Sequence, residues 1–595
     1  MRIMADNKNI IFAEKIRKCF RNICSRILFI SPMLIPENNF DIDIARSGRY
    51  TIFPPYGLGI LSNKLCARGY TTEIIDLCFV ILSHANEADK QFKYDIWKDE
   101  LKECLQNFKP DLVGITCMFS MENEQLKIIS DFIKEYNKEH NKNISVVAGG
   151  VHVSTATETI LRYCKNVDFA FLYESDRSFP DTLDFINGKI HEDNLTQIAT
   201  LVDDKYIFIE KRSTPNEADI NISPNYCNLE LWKYSQLGKI GAYAPWLLSE
   251  SVRSTHIISN RGCRGNCTFC SVRNIYGKGV RQRDIISIVD EMEDLKSKYG
   301  ITHFVWLDDD LLYNKKRIIN LFDEIYKRNL SITWDASNGV VAASITSELM
   351  DSAVKSGCIG ISLGIESGNP DILMGMHKPS NIKNYIEASK ILRNYPQLFI
   401  RGFLMIGFPN ETIDQIQDTV KLAIEMNLDW YNINPVIPFI STKIWESLNE
   451  QLNNTNLNEL KYYSGDTGQQ KSRENEEKLV SKNFKDIFSQ DLYHIPTKDE
   501  LQDIWFIVEY KVNYERILSE NRLVKLEMLE KHLRYICDRA YKNNAIGNLF
   551  LGIVEQKIGN IQESVKRMSL AKKYVNDSSY WSKRFEVLDL YKLFI

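Results

Sequence analysis

Asn260-Arg-Gly-Cys263-Arg-Gly-Asn-Cys267-Thr-Phe-Cys270 puts three thiols on one short run of a 595-residue chain. A closed zinc or iron-sulfur site takes four protein ligands, so a set of three leaves one position on the metal open to a small molecule. An incomplete set points to chemistry at the metal rather than to a structural staple. Taken alone, the run also fits buried free thiols, because Cys packs as a small hydrophobe, or part of a zinc site completed from elsewhere. The flanking sequence decides between these readings.

Downstream of the run, apolar strands alternate with amphipathic stretches. Thr255-His-Ile-Ile-Ser259 leads into the cysteines as a strand, and five more follow: 303–307, 331–335, 359–363, 399–405 and 430–434. Between them, stretches such as 285–299 and 412–426 carry apolar residues at helical spacing. Six strand-helix units predict a partial (β/α) barrel with its site at the carboxyl ends of the strands. Polar residues fall at those ends: Asp308-Asp-Asp310 after the second strand, Gly364-Ile-Glu-Ser367 after the fourth, and Gly407-Phe-Pro-Asn-Glu-Thr412 after the fifth. Each also has a plain structural reading, since acidic residues cap turns and Glu411 suits the N-terminal end of a helix.

Upstream, the same alternation predicts a parallel α/β sheet: strands at 26–31, 72–76, 112–116 and 144–148, with helices near 57–69, 95–108 and 122–136. Loops at the carboxyl ends of such strands form a ligand crevice. Gly149-Gly150 after an apolar strand would let backbone approach a bulky planar ligand, or simply make a tight turn.

Net charge is −4 and charged residues make up 26% of the chain, so nothing global points to nucleic acid or a membrane surface. Thirteen Cys, an odd number in a large chain, fit reduced thiols and a metal motif better than a disulfide framework. No apolar run reaches the length of a membrane span. The basic, amphipathic stretch 9–23 lacks the features of a secretory signal and is expected as a packed surface helix, so the chain is expected to be cytoplasmic. Past the barrel, 449–482 is polar and poor in apolar residues, as in a long surface loop or a partly disordered segment, and the remainder is expected to be helical. Leu551, Gly552, Gly559, Ser564, Met568 and Ala571 stand near the positions of one tetratricopeptide-like helix pair, expected to pack beside the barrel.

The spacing CxxxCxxC, with Phe269 just before the last Cys, resembles the cluster motif of the radical S-adenosylmethionine (SAM) enzymes. The loop Pro54-Pro-Tyr-Gly-Leu58, the Gly-Gly-x-His run at Gly149 and a linker-like Pro224 to Glu230 with Tyr234 are similar to the cobalamin-binding subgroup of that family. The resemblance implies a Rossmann-like cobalamin domain over 1–213, a linker over 214–253, a partial (β/α)6 radical SAM barrel over 254–445 and a helical region over 446–595. It implies a 4Fe-4S cluster on Cys263, Cys267 and Cys270. SAM would meet Phe269, Asp308, Glu366, Ser367 and Arg401, with backbone near Leu307 and Asp308 receiving its amino group. Cobalamin would meet Pro55, Tyr56, Gly57, Thr116, Gly149, Gly150, His152 and Glu174. Three departures stand out: the Asp-x-His-x-x-Gly motif of other cobalamin proteins is absent, Tyr173-Glu-Ser-Asp176 replaces the usual Gly-Glu-Gly-Glu, and Ser441 stands where Gly is usual at the barrel exit.

The activity the resemblance implies is methyl transfer to an unactivated carbon, or to phosphorus, of a small molecule or peptide through a 5′-deoxyadenosyl radical. An external electron donor such as flavodoxin or ferredoxin would reduce the cluster, with no nucleic-acid partner. Ring contraction, cyclisation or oxidation with the same cofactors is the alternative, and a non-catalytic iron-sulfur sensor or scaffold is another. A methylthiotransferase is disfavoured, because the front region has no second set of three cluster cysteines.

Overall fold

A computed structural model of the chain describes residues 2–20, 23–87, 91–210, 212–226, 228–240, 251–451, 494–541 and 543–594. The first sheet holds β1 (Arg26–Ser31), β2 (Thr71–Asp76), β3 (Leu112–Thr116), β4 (Ser145–Gly149), β5 (Phe169–Phe171), β6 (Ile198–Val202) and β7 (Lys205–Phe208) in the order β2-β1-β3-β4-β5-β6-β7. Strands β1 to β5 run parallel, and β6 and β7 add an antiparallel edge. The four upstream strands read from sequence are all present, each within a residue of its expected limits. Their near-continuous apolar runs suit a sheet with both faces covered. One face packs against helices such as Ile96–Phe108 and Asn123–Glu139, the other against Arg2–Cys19 and Tyr56–Ala67. The N-terminal helix is thus a packed one, burying Phe12, Ala13 and Ile16.

The second sheet is wholly parallel. It contains β8 (Ser254–Ile257), β11 (His303–Trp306), β12 (Thr333–Val340), β13 (Cys358–Glu366), β14 (Phe399–Ile406) and β15 (Trp430–Pro435), ordered β15-β14-β13-β12-β11-β8. β8 and β15 stay at opposite edges, so the six strands form an open, partial barrel. Helices Ile285–Tyr299, Lys315–Lys327, Ser347–Lys355, Ile382–Leu392 and Ile413–Met426 bury their apolar faces on it, in a core shared with Trp306 and Trp334.

Four strand limits differ from expectation by two residues or more, among them the ends of β12 at Val340 rather than 335 and of β13 at Glu366 rather than 363. β8 stops at Ile257 because the Ser259 amide turns to the Asp308 carboxylate (3.0 and 3.2 Å), and β12 begins at Thr333 because Ser331 takes a left-handed conformation (φ 48°). A separate two-stranded ribbon of β9 (Asn260–Arg261) and β10 (Arg281–Gln282) pairs antiparallel, Arg261 opposite Arg281.

Helices beyond residue 497 pack on the barrel, where Phe399 of β14 and Trp430 of β15 join Phe506, Tyr510 and Tyr514 in one apolar cluster. Ala545–Lys557 and Ile561–Asp577 form the helix pair read from the glycine and small-residue pattern. Of the polar stretch 449–482, all but its first three residues lies outside the described residues, as does 241–250 of the linker. Among the described residues no helix is long and apolar enough to cross a membrane.

Candidate functional site

The ribbon β9/β10 is the base of the loop that carries all three cysteines. Gly262 closes that base at φ 91°, and a Cβ there would lie 2.5 Å from the Gly279 carbonyl oxygen, so the two ends of the loop approach as closely as only glycine permits. Inside the loop, the Gly265 amide donates to the Cys263 sulfur (3.3 Å). A Cβ on Gly265 would sit 3.4 Å from Cys263 Sγ and 3.5 Å from Cys267 Sγ, so these two sulfurs flank a gap that a side chain would fill. Burial pushes the Cys263 thiol up to about 12 and Cys270 to about 11, and raises Cys267 as well. Thiols in that state stay protonated until a metal displaces the proton.

Among the described residues no three His, Cys, Asp or Glu side chains already stand at metal-binding separation. By its donor set, three Cys on one loop, the site suits an iron-sulfur cluster, with ligand geometry left for the metal to impose.

The acidic run after β11 divides its work. Asp308 is buried, accepts from the Ser259 amide and hydroxyl (2.5 Å to Oγ), and is pushed up to about 6 by burial. Asp310 takes Arg264 of the cysteine loop through two bonds, 2.6 Å from Nε and 2.8 Å from the second guanidinium nitrogen. Asp309, between them, is raised to about 7 by burial and by the neighbouring Asp308 charge.

At the end of β13, Glu366 adopts φ 68° and accepts from Lys378 Nζ at 2.6 Å. Lys378 also lies 5.8 Å from the centre of the Phe269 ring. The segment 376–379 is fastened to the cysteine loop by the Thr268 amide, which donates to the Met376 carbonyl (3.0 Å). Phe269, Glu366 and Lys378 thus converge beside Cys267. Ser367 is fully buried; its hydroxyl accepts from the Asn369 amide (3.1 Å) and meets Thr419 Oγ1 (3.2 Å). Arg401 is buried on β14, where its charge adds to the burial that holds the His532 imidazole well below its ordinary pKa and therefore neutral. Of the five expected SAM residues, two face the cysteines, and the side chains of Asp308, Ser367 and Arg401 are engaged in the protein around them. Lys378 was not singled out from the sequence, since a lone Lys in a loop carries no signal there.

On the first sheet, Thr116 and Gly149 are register partners at the carboxyl ends of β3 and β4. Gly150 (φ 114°) brings the next turn so near that a Cβ would meet the Cys117 carbonyl at 2.5 Å, which is why the position is glycine whether or not a ligand binds. The His152 amide donates to that same carbonyl (3.2 Å), and burial lowers its imidazole to about 4. Gly57 is exposed with no neighbour near its missing side chain, and Met118 and Phe119 are exposed beyond β3. Pro55 is buried at the start of helix Tyr56–Ala67. An open edge of bare backbone and exposed apolar side chains fits a bulky planar cofactor such as cobalamin. Met118 and Phe119 are invisible to sequence reasoning, where they look like two more core residues.

Tyr56 and Glu174 point elsewhere, toward the second sheet. Tyr56 OH accepts from Arg283 (3.2 Å), which is itself held by Glu291 at 2.7 Å. Glu174 accepts from Arg261 (3.1 Å) and Arg281 (2.6 Å), and Asp176 from Arg261 (2.8 Å). Burial alone would raise Asp176, but Arg261 and Lys64 outweigh it and hold the carboxyl below its ordinary value.

Family models agree with this arrangement: a B12 binding domain matches residues 43–183 and the radical SAM superfamily matches 257–423. The chain is 27% identical over 397 residues to an uncharacterised methyltransferase of Pyrococcus horikoshii, covering 67% of this chain and 78% of the relative. It is 24% identical over 422 residues to the cytidylyl-2-hydroxyethylphosphonate methyltransferase of Streptomyces wedmorensis, covering 66% and 77%. The solved structure of the cobalamin-dependent SAM radical enzyme OxsB shares the fold, with a TM-score of 0.59 at 12% identity over 96% of this chain and 81% of that one. The chain thus carries a B12 binding domain followed by a radical SAM domain.

Proposed function

We propose that the chain methylates a small molecule by cobalamin-dependent radical chemistry. The observation that carries this reading is the seam itself: the loop with three thiols is gripped at its base by Glu174, just past β5 of the sheet whose exposed edge suits cobalamin. When bound, the cluster with SAM supplies radical hydrogen abstraction and cobalamin supplies the methyl group.

The chain's own residues do the rest. Cys263, Cys267 and Cys270 would hold the cluster, and the Gly265 amide would stabilise the Cys263 sulfur as a thiolate. Phe269 and Glu366, already beside Cys267, would receive SAM, with Lys378 able to exchange Glu366 for an anionic group of the ligand. Thr116, Gly57, Gly149 and Gly150 would line the cobalamin side, His152 would stand neutral near it, and Met118 and Phe119 would cover apolar surface. An external one-electron donor would reach the cluster from solvent.

The relatives named above include one that methylates a phosphonate-bearing small molecule, which supports a small-molecule substrate here. Anaerobic reconstitution with and without methylcobalamin, followed by assay of 5′-deoxyadenosine and S-adenosylhomocysteine, tests the reading. Both products should form, the second only with cobalamin bound. Formation of 5′-deoxyadenosine in a chain that never binds cobalamin would contradict methyl transfer and leave the radical SAM assignment standing.

A further inference from the structure

The cysteine loop leaves the barrel and returns to it through β9 and β10, and the arginines at this passage alternate along the chain: Arg261 on the way out, Arg281 and Arg283 on the way back. All three are met by side chains of the first sheet's region. Glu174 bridges Arg261 and Arg281 across the ribbon, one carboxylate oxygen to each (3.1 and 2.6 Å). Asp176 adds a second bond to Arg261 at 2.8 Å and is approached by Lys64 at 3.8 Å. Tyr56 takes Arg283. Glu174 is 7% exposed and Asp176 6%, so these are buried charge pairs rather than surface ones.

Neighbouring bonds anchor the clamp on both sides. The Glu174 carbonyl accepts from Gln197 Nε2 (3.1 Å), Arg281 also donates to the Pro215 carbonyl (2.8 Å), and Arg212 stacks on Tyr173 (4.1 Å) while reaching the Ile275 carbonyl within the loop. A buried carboxylate shared by two guanidinium groups has its lone pairs occupied in a fixed direction.

We propose that Glu174 and Asp176 are positioning residues that lock the base of the cysteine loop to the first sheet, so that the distance between the cluster and a ligand on that sheet is set by this ionic clamp. The role differs from cobalamin contact: each Glu174 carboxylate oxygen is already turned to an arginine of the cysteine-loop base. The proposal rests on the reading of residues 263–270 as the cluster loop.

The test compares reconstituted wild type with Glu174→Gln/Asp176→Asn and, from the opposite side of the clamp, Arg281→Gln. Three readouts are taken: hydrogen exchange of amides 262–280, the rate of iron loss to a chelator, and retention of added hydroxocobalamin. Both variants should exchange the loop amides at least about tenfold faster, because breaking a buried pair strands its partner, and both should lose iron faster while retaining cobalamin. Should the carboxylate variant fail to fold, Arg281→Gln carries the same expectation without altering the first sheet. Unchanged exchange and iron loss in the folded variants would overturn the proposal. So would loss of cobalamin with Glu174→Gln/Asp176→Asn but an unaffected Arg281→Gln. A wild-type chain that takes up no iron would instead fail the cluster reading, while the exchange comparison would still judge the clamp.

Discussion

At the scale of single residues, the pair Lys378 and Glu366 shows how the site stays charged and ordered before any ligand arrives. Both side chains are about nine-tenths buried (11% and 10% exposed), and each is the other's counter-ion at 2.6 Å. Replacing Lys378 by Met strands a carboxylate in the barrel mouth. The expected cost is about 3 kcal/mol in the denaturant unfolding of the barrel, followed by the fluorescence of buried Trp306 and Trp334. Lys378→Arg should recover most of it; a loss below about 0.5 kcal/mol for Lys378→Met would mean that the pair is effectively solvated. Ligand spacing marked Cys263, Cys267 and Cys270 in the sequence, and Phe269 and Glu366 came from the family resemblance. Lys378 was legible by neither route, because it reaches the site through the fold of the segment 376–379, twelve residues after its partner.

At the scale of elements, regular strands were legible and their departures were not. The long apolar runs of β1, β3, β4 and β14 announce themselves, whereas β5 is only three residues, Phe169 to Phe171, and β6 and β7 lie past a turn with no strong alternation. The ribbon β9/β10 has two residues per strand and closes at Gly262, and neither has a periodicity to read. The turn after β14 offers an element-scale prediction. Glu411 is buried, accepts from the Gly407 amide (2.6 Å) and the Phe408 amide (3.1 Å), and leads directly into the Thr412 cap of helix Ile413–Met426. Burial outweighs those bonds and raises its carboxyl from 4.5 to about 7. A raised folded-state value means that the unfolded chain ionises first, so wild type loses stability as pH climbs from about 4.5 to about 7. Glu411→Gln keeps an acceptor for both amides and removes the titration. Its stability relative to wild type should grow by up to about 1.4 kcal/mol per pH unit across that window and then level off. A difference that does not vary with pH would show that the carboxyl ionises normally in place.

At the scale of the whole molecule, the proposed function draws on both sheets. The order of a cobalamin-type region followed by a radical SAM barrel was legible in the sequence, from a three-thiol loop, strand-end acidic residues and the loops ahead of them. The way they meet was hidden. Glu174 and Arg281 are 107 residues apart in the chain, and the resemblance that suggested Glu174 as a cofactor contact could not show two arginines converging on it. The C-terminal helices were legible as helices, but their seat on Phe399 and Trp430 of the barrel is a matter of three-dimensional packing. The central claim is that three thiolates hold a cluster whose remaining position binds SAM. Electron paramagnetic resonance of the anaerobically reconstituted, dithionite-reduced chain tests it most directly: the account predicts the signal of a reduced four-iron cluster that changes when SAM is added and is absent in Cys267→Ala. A signal indifferent to SAM, or iron retained equally by Cys267→Ala, would contradict it.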